Sequence, residues 1–125
     1  VADLSPLAGL TQLNYITLAD TPVSDISALR DVMMLQRLFL SNTNVEDVSA
    51  LASCLALTEL DLSNTKVTDV SPLAHCKALE EVNLSNCPVE DLAPLTGCKM
   101  TIVLAKTQRV HIPPDLRRHI WRVGD

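Results

Sequence analysis

The stretch Leu57-Thr-Glu-Leu60-Asp-Leu62-Ser-Asn-Thr65-Lys-Val67-Thr-Asp69-Val70-Ser71-Pro72-Leu73-Ala-His75-Cys76-Lys-Ala78 decides the fold. Leu60-Asp61-Leu62 alternates apolar and polar side chains with period two, the mark of a short strand with one buried face. The second half carries turn residues and then Ser71-Pro72-Leu73, where Ser71 is a good N-cap and Pro72 suits a first helical turn. About four residues remain for that helix, which fits a single 3-10 turn better than an α-helix. One such unit cannot bury its own leucines, whereas stacked units bury them in a continuous core.

Shifting the chain by 22 residues superposes it on itself. One column holds Leu13, Leu35, Leu57 and Leu79, the next Ile16, Leu38, Leu60 and Val82, and a third Leu18, Leu40, Leu62 and Leu84. Val23, Val45, Val67 and Val89 follow, then Asp25, Asp47, Asp69 and Asp91, then Ile26, Val48, Val70 and Leu92, then Leu29, Leu51, Leu73 and Leu95. Full repeats are therefore expected over 13–34, 35–56, 57–78 and 79–100, after a partial repeat over 1–12 marked by Val1, Asp3, Leu4 and Leu7. A degenerate repeat over 100–112 is expected to place Met100, Val103, Ala105 and Val110 in the core after a one-residue slip. Ser5, Ser27 and Ser49 share the capping place of Ser71, and Pro6 and Pro94 share that of Pro72.

These segments resemble leucine-rich repeats, whose pattern is L-x-x-L-x-L-x-x-N-x-L with Thr or Cys allowed at the Asn place. The full unit is similar to the 22-residue class of bacterial internalins and phosphatase-regulatory repeat proteins. Its T-x-V-x-D-V-S-x-L-A-x-C wording is also similar to arrays of kinetoplastid parasites. The resemblance covers residues 1–110. It implies an α/β solenoid with a curved parallel sheet on the concave side, and short 3-10 turns and loops on the convex side. It does not imply one activity. Thr21, Thr43, Thr65 and Cys87 stand where the family favours Asn, which weakens the side-chain ladder to the backbone without changing the fold.

Composition agrees with a leucine-filled repeat core. The 125 residues include 21 leucines but only Tyr15, Phe39 and Trp121 as aromatics. No apolar run exceeds about four residues, against the ~20 of a spanning helix. The residues present show no signal-peptide or transit pattern. The net charge of −5 divides unevenly. Residues 1–98 carry 4 basic and 13 acidic side chains, and residues 99–125 carry 6 basic and 2 acidic. The acidic bulk argues against nucleic-acid binding. Val1 enters in mid-repeat without a methionine, so the chain is expected to be the C-terminal part of a longer solenoid.

Cys54, Cys76 and Cys98 occupy one column with Leu10 and Val32, a place that takes apolar residues. Stacking sets such thiols about 5 Å apart with parallel Cβ vectors, poor geometry for a disulfide. Buried reduced thiols are expected over a disulfide or a metal, with Cys87 as a backbone-facing substitute in the threonine column. Unpaired thiols favour a reducing compartment, so an intracellular, cytoplasmic location is expected, a surface location staying open. Each aspartate of the repeated column, Asp3 included, is expected to accept backbone N–H groups before the helical turn. One regular carboxylate per repeat is too few for calcium. His75, His111 and His119 have no ligand or triad spacing, and three glycines make no phosphate loop. No catalytic residue, cofactor or metal site is expected, nor a small-molecule substrate.

The strand positions flanking the buried residue point away from the core. They are Tyr15 and Thr17, Arg37 and Phe39, Glu59 and Asp61, and Glu81 and Asn83, with Glu80 at the rim. An exposed aromatic pair bordered by charge resembles a protein interface, here for a basic partner. Beyond Pro113-Pro114, residues 113–125 are expected to cap the array. A short helix from Asp115 is expected to turn Leu116, Ile120 and Trp121 onto the last repeat; the rival is a basic amphipathic helix for a membrane or partner. The chain is thus expected to be a non-catalytic protein-interaction module binding on its concave face. The alternatives are a regulatory subunit of an enzyme such as a phosphatase, a surface adhesin of internalin type, and an architectural part of a large assembly.

Overall fold

Leu38, Leu60 and Val82 are fully enclosed, while the residues on either side of each in its strand are exposed or half-buried. That alternation is the period-two pattern of the sequence in three dimensions. The computed structural model describes residues 12–106 and 108–123. The partial repeat with Val1, Asp3, Leu4, Ser5, Pro6 and Leu7 lies outside them.

Among the described residues six strands pair in parallel and in sequence order within one open sheet. They are β1 (Tyr15–Thr17), β2 (Arg37–Phe39), β3 (Glu59–Asp61), β4 (Glu81–Asn83), β5 (Thr101–Ala105) and β6 (Ile120–Val123). Ile16, Leu38, Leu60 and Val82 stand opposite one another across β1 to β4. Short 3-10 turns at Ser27–Asp31, Ser49–Ser53, Ser71–His75 and Ala93–Leu95 lie opposite the sheet, and Leu29, Leu51, Leu73 and Leu95 of these turns are buried against it. The core is therefore one apolar slab running the length of the stack.

Three local features close each repeat. Oδ1 of Asp25, Asp47, Asp69 and Asp91 accepts the N–H of Ser27, Ser49, Ser71 and Ala93 at 2.9 Å. The serines themselves make no side-chain cap, contrary to expectation, because the cap position falls on buried Ile26, Val48 and Val70. Capping passes to the aspartate one residue earlier. Thr21, Thr43 and Thr65 donate their hydroxyls to the carbonyls of Leu18, Leu40 and Leu62 at 2.6–2.8 Å. After each of the first four strands the chain turns through a left-handed residue, Asp20, Asn42, Asn64 or Asn86, with φ of 58–62°. Asn and Asp occupy that region at least cost among residues with a Cβ.

The last two intervals depart from 22. Ile102 and Leu104 take the places expected of Val103 and Ala105 in the main core, and Ile102 stands opposite Val82. Val103 is also buried, outside that cluster, and Ala105 is half-buried. The slip is thus two residues within β5, although Met100 is buried as expected. The preceding turn, Ala93–Leu95, has three residues instead of five and ends near Gly97 at φ 88°, so the chain reaches the sheet early. The tail also differs from the expected helix. Pro114–His119 forms a 3-10 turn, and Ile120–Val123 leaves it to pair with β5. Leu116 is buried and Ile120 partly so, but Trp121 is 64% exposed. The run Ile120-Trp121-Arg122-Val123 favours strand, and the β5 edge offers it backbone partners that another helical turn could not.

Gln108 joins these irregular segments. Its Oε1 accepts the N–H groups of Asn86 and Ala105 at 3.0 Å, and its Nε2 donates to the carbonyls of Leu84 and Cys87 at 2.9 Å.

Leu62→Ala removes a fully buried side chain from a central repeat and is expected to cost about 2–5 kcal/mol in a denaturant titration. A loss under about 0.5 kcal/mol would place Leu62 outside the core. The carboxyls of Asp25, Asp47 and Asp69 are held below their ordinary value of 3.8, chiefly by the backbone N–H of Ser27, Ser49 and Ser71 and then by the hydroxyls of the same serines. A carboxyl that titrates lower in the folded state stabilises it fully above the unfolded value, and that contribution is lost as pH falls through the folded one. Stability is therefore expected to fall in acid below about pH 4, and the Asp25→Asn, Asp47→Asn, Asp69→Asn triple variant is expected to show a shallower fall in thermal melts across that range.

Candidate functional site

Parallel pairing in register sets the open face of the sheet. Tyr15 stands opposite Arg37, and Arg37 opposite Glu59. Thr17 stands opposite Phe39, and Phe39 opposite Asp61. The Tyr15 and Phe39 rings are 5.5 Å apart between centroids and tilted by 54°. The Arg37 guanidinium lies 5.3 Å from the Tyr15 ring centre and 5.7 Å from that of Phe39. Its Nε donates to Oε1 of Glu59 at 3.2 Å. Two rings and a carboxylate from three strands thus hold one cation. With Arg37 and Glu59 exposed by 51% and 37%, the ion pair itself contributes about 0–1 kcal/mol.

The remaining expected residues divide into two groups. Glu80 and Glu81 are exposed at the start of β4, and Glu81 stands opposite Glu59. Two like charges face one another there, and Arg37 is bonded to only one of them. Asp61 and Asn83 also lie on the open face, but their side chains turn back to their own loops. Asp61 Oδ1 accepts the N–H and hydroxyl of Ser63 at 2.9 and 2.7 Å, and Asn83 Oδ1 accepts the N–H of Ser85 at 3.0 Å. They shape the ends of β3 and β4 as well as lining the face.

The face extends further than the sequence suggested. Thr101 and Val103 of β5 and Trp121 and Val123 of β6 continue it, and with Glu81 and Asn83 they line an open depression of about 470 Å³. Trp121 stands opposite Val103. The signal available was strand preference in Ile120–Val123, masked by the helical look of the residues before it. Met33, Met34 and Leu55 are also exposed, in the loops that lead into β2 and β3.

The cysteines are placed by the same stacking. Cys54, Cys76 and Cys87 are buried, and Cys98 is partly exposed. Their buried sulfurs point to carbonyls one repeat back: Cys54 to Leu29 at 3.7 Å, Cys76 to Leu51 at 3.2 Å and Cys87 to Leu62 at 2.8 Å. Cys87 faces the backbone as expected, although of the neighbouring repeat, and its sulfur is 3.3 Å from the Thr65 hydroxyl. Burial pushes all three thiols up, Cys76 to about 11.

A family model of leucine-rich repeats matches the chain in two overlapping copies, residues 34–75 and 55–97, which together cover just over half of it. The chain belongs to the leucine-rich repeat family. This leucine-rich repeat chain matches no curated protein. Among solved structures it is similar to internalin C2 from Listeria monocytogenes, with a TM-score of 0.89 at 22% identity over 98% of this chain and 57% of that one. An internalin (InlF) of the same organism is 31% identical with a TM-score of 0.80, over 89% of this chain and 34% of that one. The functional domain of InlJ from L. monocytogenes, described as including a cysteine ladder, has a TM-score of 0.72 at 22% identity over 96% of this chain and 26% of that one. The leucine-rich repeat chain therefore spans just over half of the first of these proteins and about a third and a quarter of the others. None of its described helices is long and apolar enough to cross a membrane.

Burial predicts an order of thiol reactivity in this repeat array. Iodoacetamide on the native protein at neutral pH is expected to modify Cys98 first, with Cys54, Cys76 and Cys87 reacting only after denaturation. Peptide mass mapping over a time course checks this, and equal rates at all four sites would contradict the packing described.

Proposed function

We propose that the chain is a non-catalytic protein-interaction module that binds a basic protein partner on the open, concave face of its sheet. The observation that carries this is the cluster of Tyr15, Phe39, Arg37 and Glu59. It gathers two of the three aromatic residues of the chain on the side of the sheet that faces away from the core. Exposed aromatic anchors beside a held guanidinium are the groups that dominate protein interfaces. Glu59, Asp61, Glu80 and Glu81 give the neighbouring strands a negative field suited to a basic partner. The four unpaired cysteines fit a reducing, intracellular setting. A second reading, an adhesive module of an internalin-type surface protein, is favoured by the likeness to InlF at 31% identity. Protease accessibility on intact cells separates the two.

Alanine at Tyr15 and at Phe39 is expected to weaken partner binding by about 1–4 kcal/mol each. Both changes should leave folding stability far closer to wild type than a core substitution does. Charge reversal at Glu59, Glu80 and Glu81 is expected mainly to slow association and to reduce its salt sensitivity. His75→Ala and Lys77→Ala, in and beside a 3-10 turn, are the controls. Affinity capture with quantitative partner identification, repeated for each variant, measures the effect. Retention of binding by the Tyr15→Ala, Phe39→Ala variant together with its loss in the controls overturns the assignment and directs attention to Arg117, Arg118 and Arg122.

A further inference from the structure

The two ends of the open face carry the same pair of recognising groups, and only one end holds a cation. At the β1–β3 end, Arg37 lies against the rings of Tyr15 and Phe39 and bonds to Glu59. At the β4–β6 end, Trp121 and Glu81 line one depression together with Val103 and Val123. The indole is 64% exposed. Among the described residues Glu81 has no ion pair, and Glu59 across the strand already has Arg37.

The lining selects an occupant. An indole face and a carboxylate both attract a cation, and Trp offers the strongest cation–π surface of the aromatic side chains. Val103 and Val123 suit a methylene stem whose charged head reaches the carboxylate. A neutral apolar group would cover Glu81 without satisfying it. One carboxylate is too few for a calcium ion, and an anion meets Glu81, Glu80 and Glu59 on approach. A planar guanidinium stacks flat on an indole while its edge N–H groups remain free to pair with a carboxylate, a geometry that suits this lining better than a compact ammonium.

We propose that the depression between Trp121 and Glu81 is a subsite for one arginine side chain of a protein partner. The inference rests on the reading that the open face binds protein, and it names the chemistry that one end of that face selects. Arg37 shows the same recognition made within the chain, by Tyr15, Phe39 and Glu59, two strands away.

Trp121 is the single tryptophan, so one indole N–H resonance in a nitrogen-15 spectrum reports the subsite. The probes are acetyl-Gly-Arg-Gly-amide and its citrulline counterpart, which keeps the shape and removes the charge. The arginine peptide is expected to shift the indole resonance saturably and the citrulline peptide to bind at least about threefold more weakly. Glu81→Gln is expected to weaken the arginine peptide about threefold and to reduce its advantage over citrulline to the part supplied by the indole. Trp121→Leu, followed through the methyl signals of Val103 and Val123, is expected to weaken it about as much. Equal binding of the two peptides, an unchanged affinity in Glu81→Gln, or an indole signal that does not move overturns the subsite. If the Tyr15 and Phe39 ring signals respond to a basic peptide while the indole does not, the subsite falls and the face assignment stands. If the arginine peptide titrates Trp121 with the expected Glu81 dependence while the Tyr15→Ala, Phe39→Ala variant retains its partner, the subsite stands and the aromatic pair loses its role.

Discussion

None of the described strands finds a backbone partner inside its own repeat. The N–H of Leu62 goes to the carbonyl of Asn83 and that of Thr58 to the carbonyl of Gln36, in the following and preceding repeats. Buried backbone groups must be paired, so each strand needs a neighbour displaced by one repeat. Once that displacement is 22 residues, each buried strand residue stacks on its own counterpart in the next repeat. Stability in such an array comes from intrinsic repeat terms and nearest-neighbour interfaces.

The same displacement builds the open face of the sheet. Residues far apart in the chain become neighbours at strand spacing: Tyr15 beside Arg37, Arg37 beside Glu59, Glu59 beside Glu81. The core column between them allows little variation, whereas the flanking positions are free to change from repeat to repeat. The result is a rigid sheet carrying a sequence of independent side chains, aromatic at one end, acidic in the middle and apolar with one indole at the other. Rigid presentation of this kind lowers the ordering cost of binding.

The core columns and the outward positions could be read in the sequence because both follow from hydropathy at fixed intervals. Ile16, Leu38, Leu60 and Val82 recur at 22, and the parity of the strand then places Tyr15, Phe39 and Glu59 on the open face. Features that depend on backbone shape were harder to see. The left-handed column of Asp20, Asn42, Asn64 and Asn86 has no hydropathy signature, since it answers a demand on φ. The serines before each turn look like caps, but buried Ile26, Val48 and Val70 occupy the capping position. The open end departs from the 22-residue pattern where the interval changes, to 20 between Val82 and Ile102 and to 18 between Ile102 and Ile120. A fixed period cannot follow that shortening: read from the sequence, Trp121 belongs to a helix, whereas β6 carries it on the open face of the sheet.

The junction where the interval shortens is controlled by one amide. Gln108 accepts two N–H groups with its oxygen and donates to two carbonyls with its nitrogen, so its whole hydrogen-bonding capacity is matched to the backbone around it. A glutamate has the same outline but the opposite polarity at one atom, and it would aim a charged oxygen at the carbonyls of Leu84 and Cys87. Within the leucine columns, volume decides which residues can be exchanged. At this seam volume is nearly irrelevant, and what the structure discriminates is a donor from an acceptor.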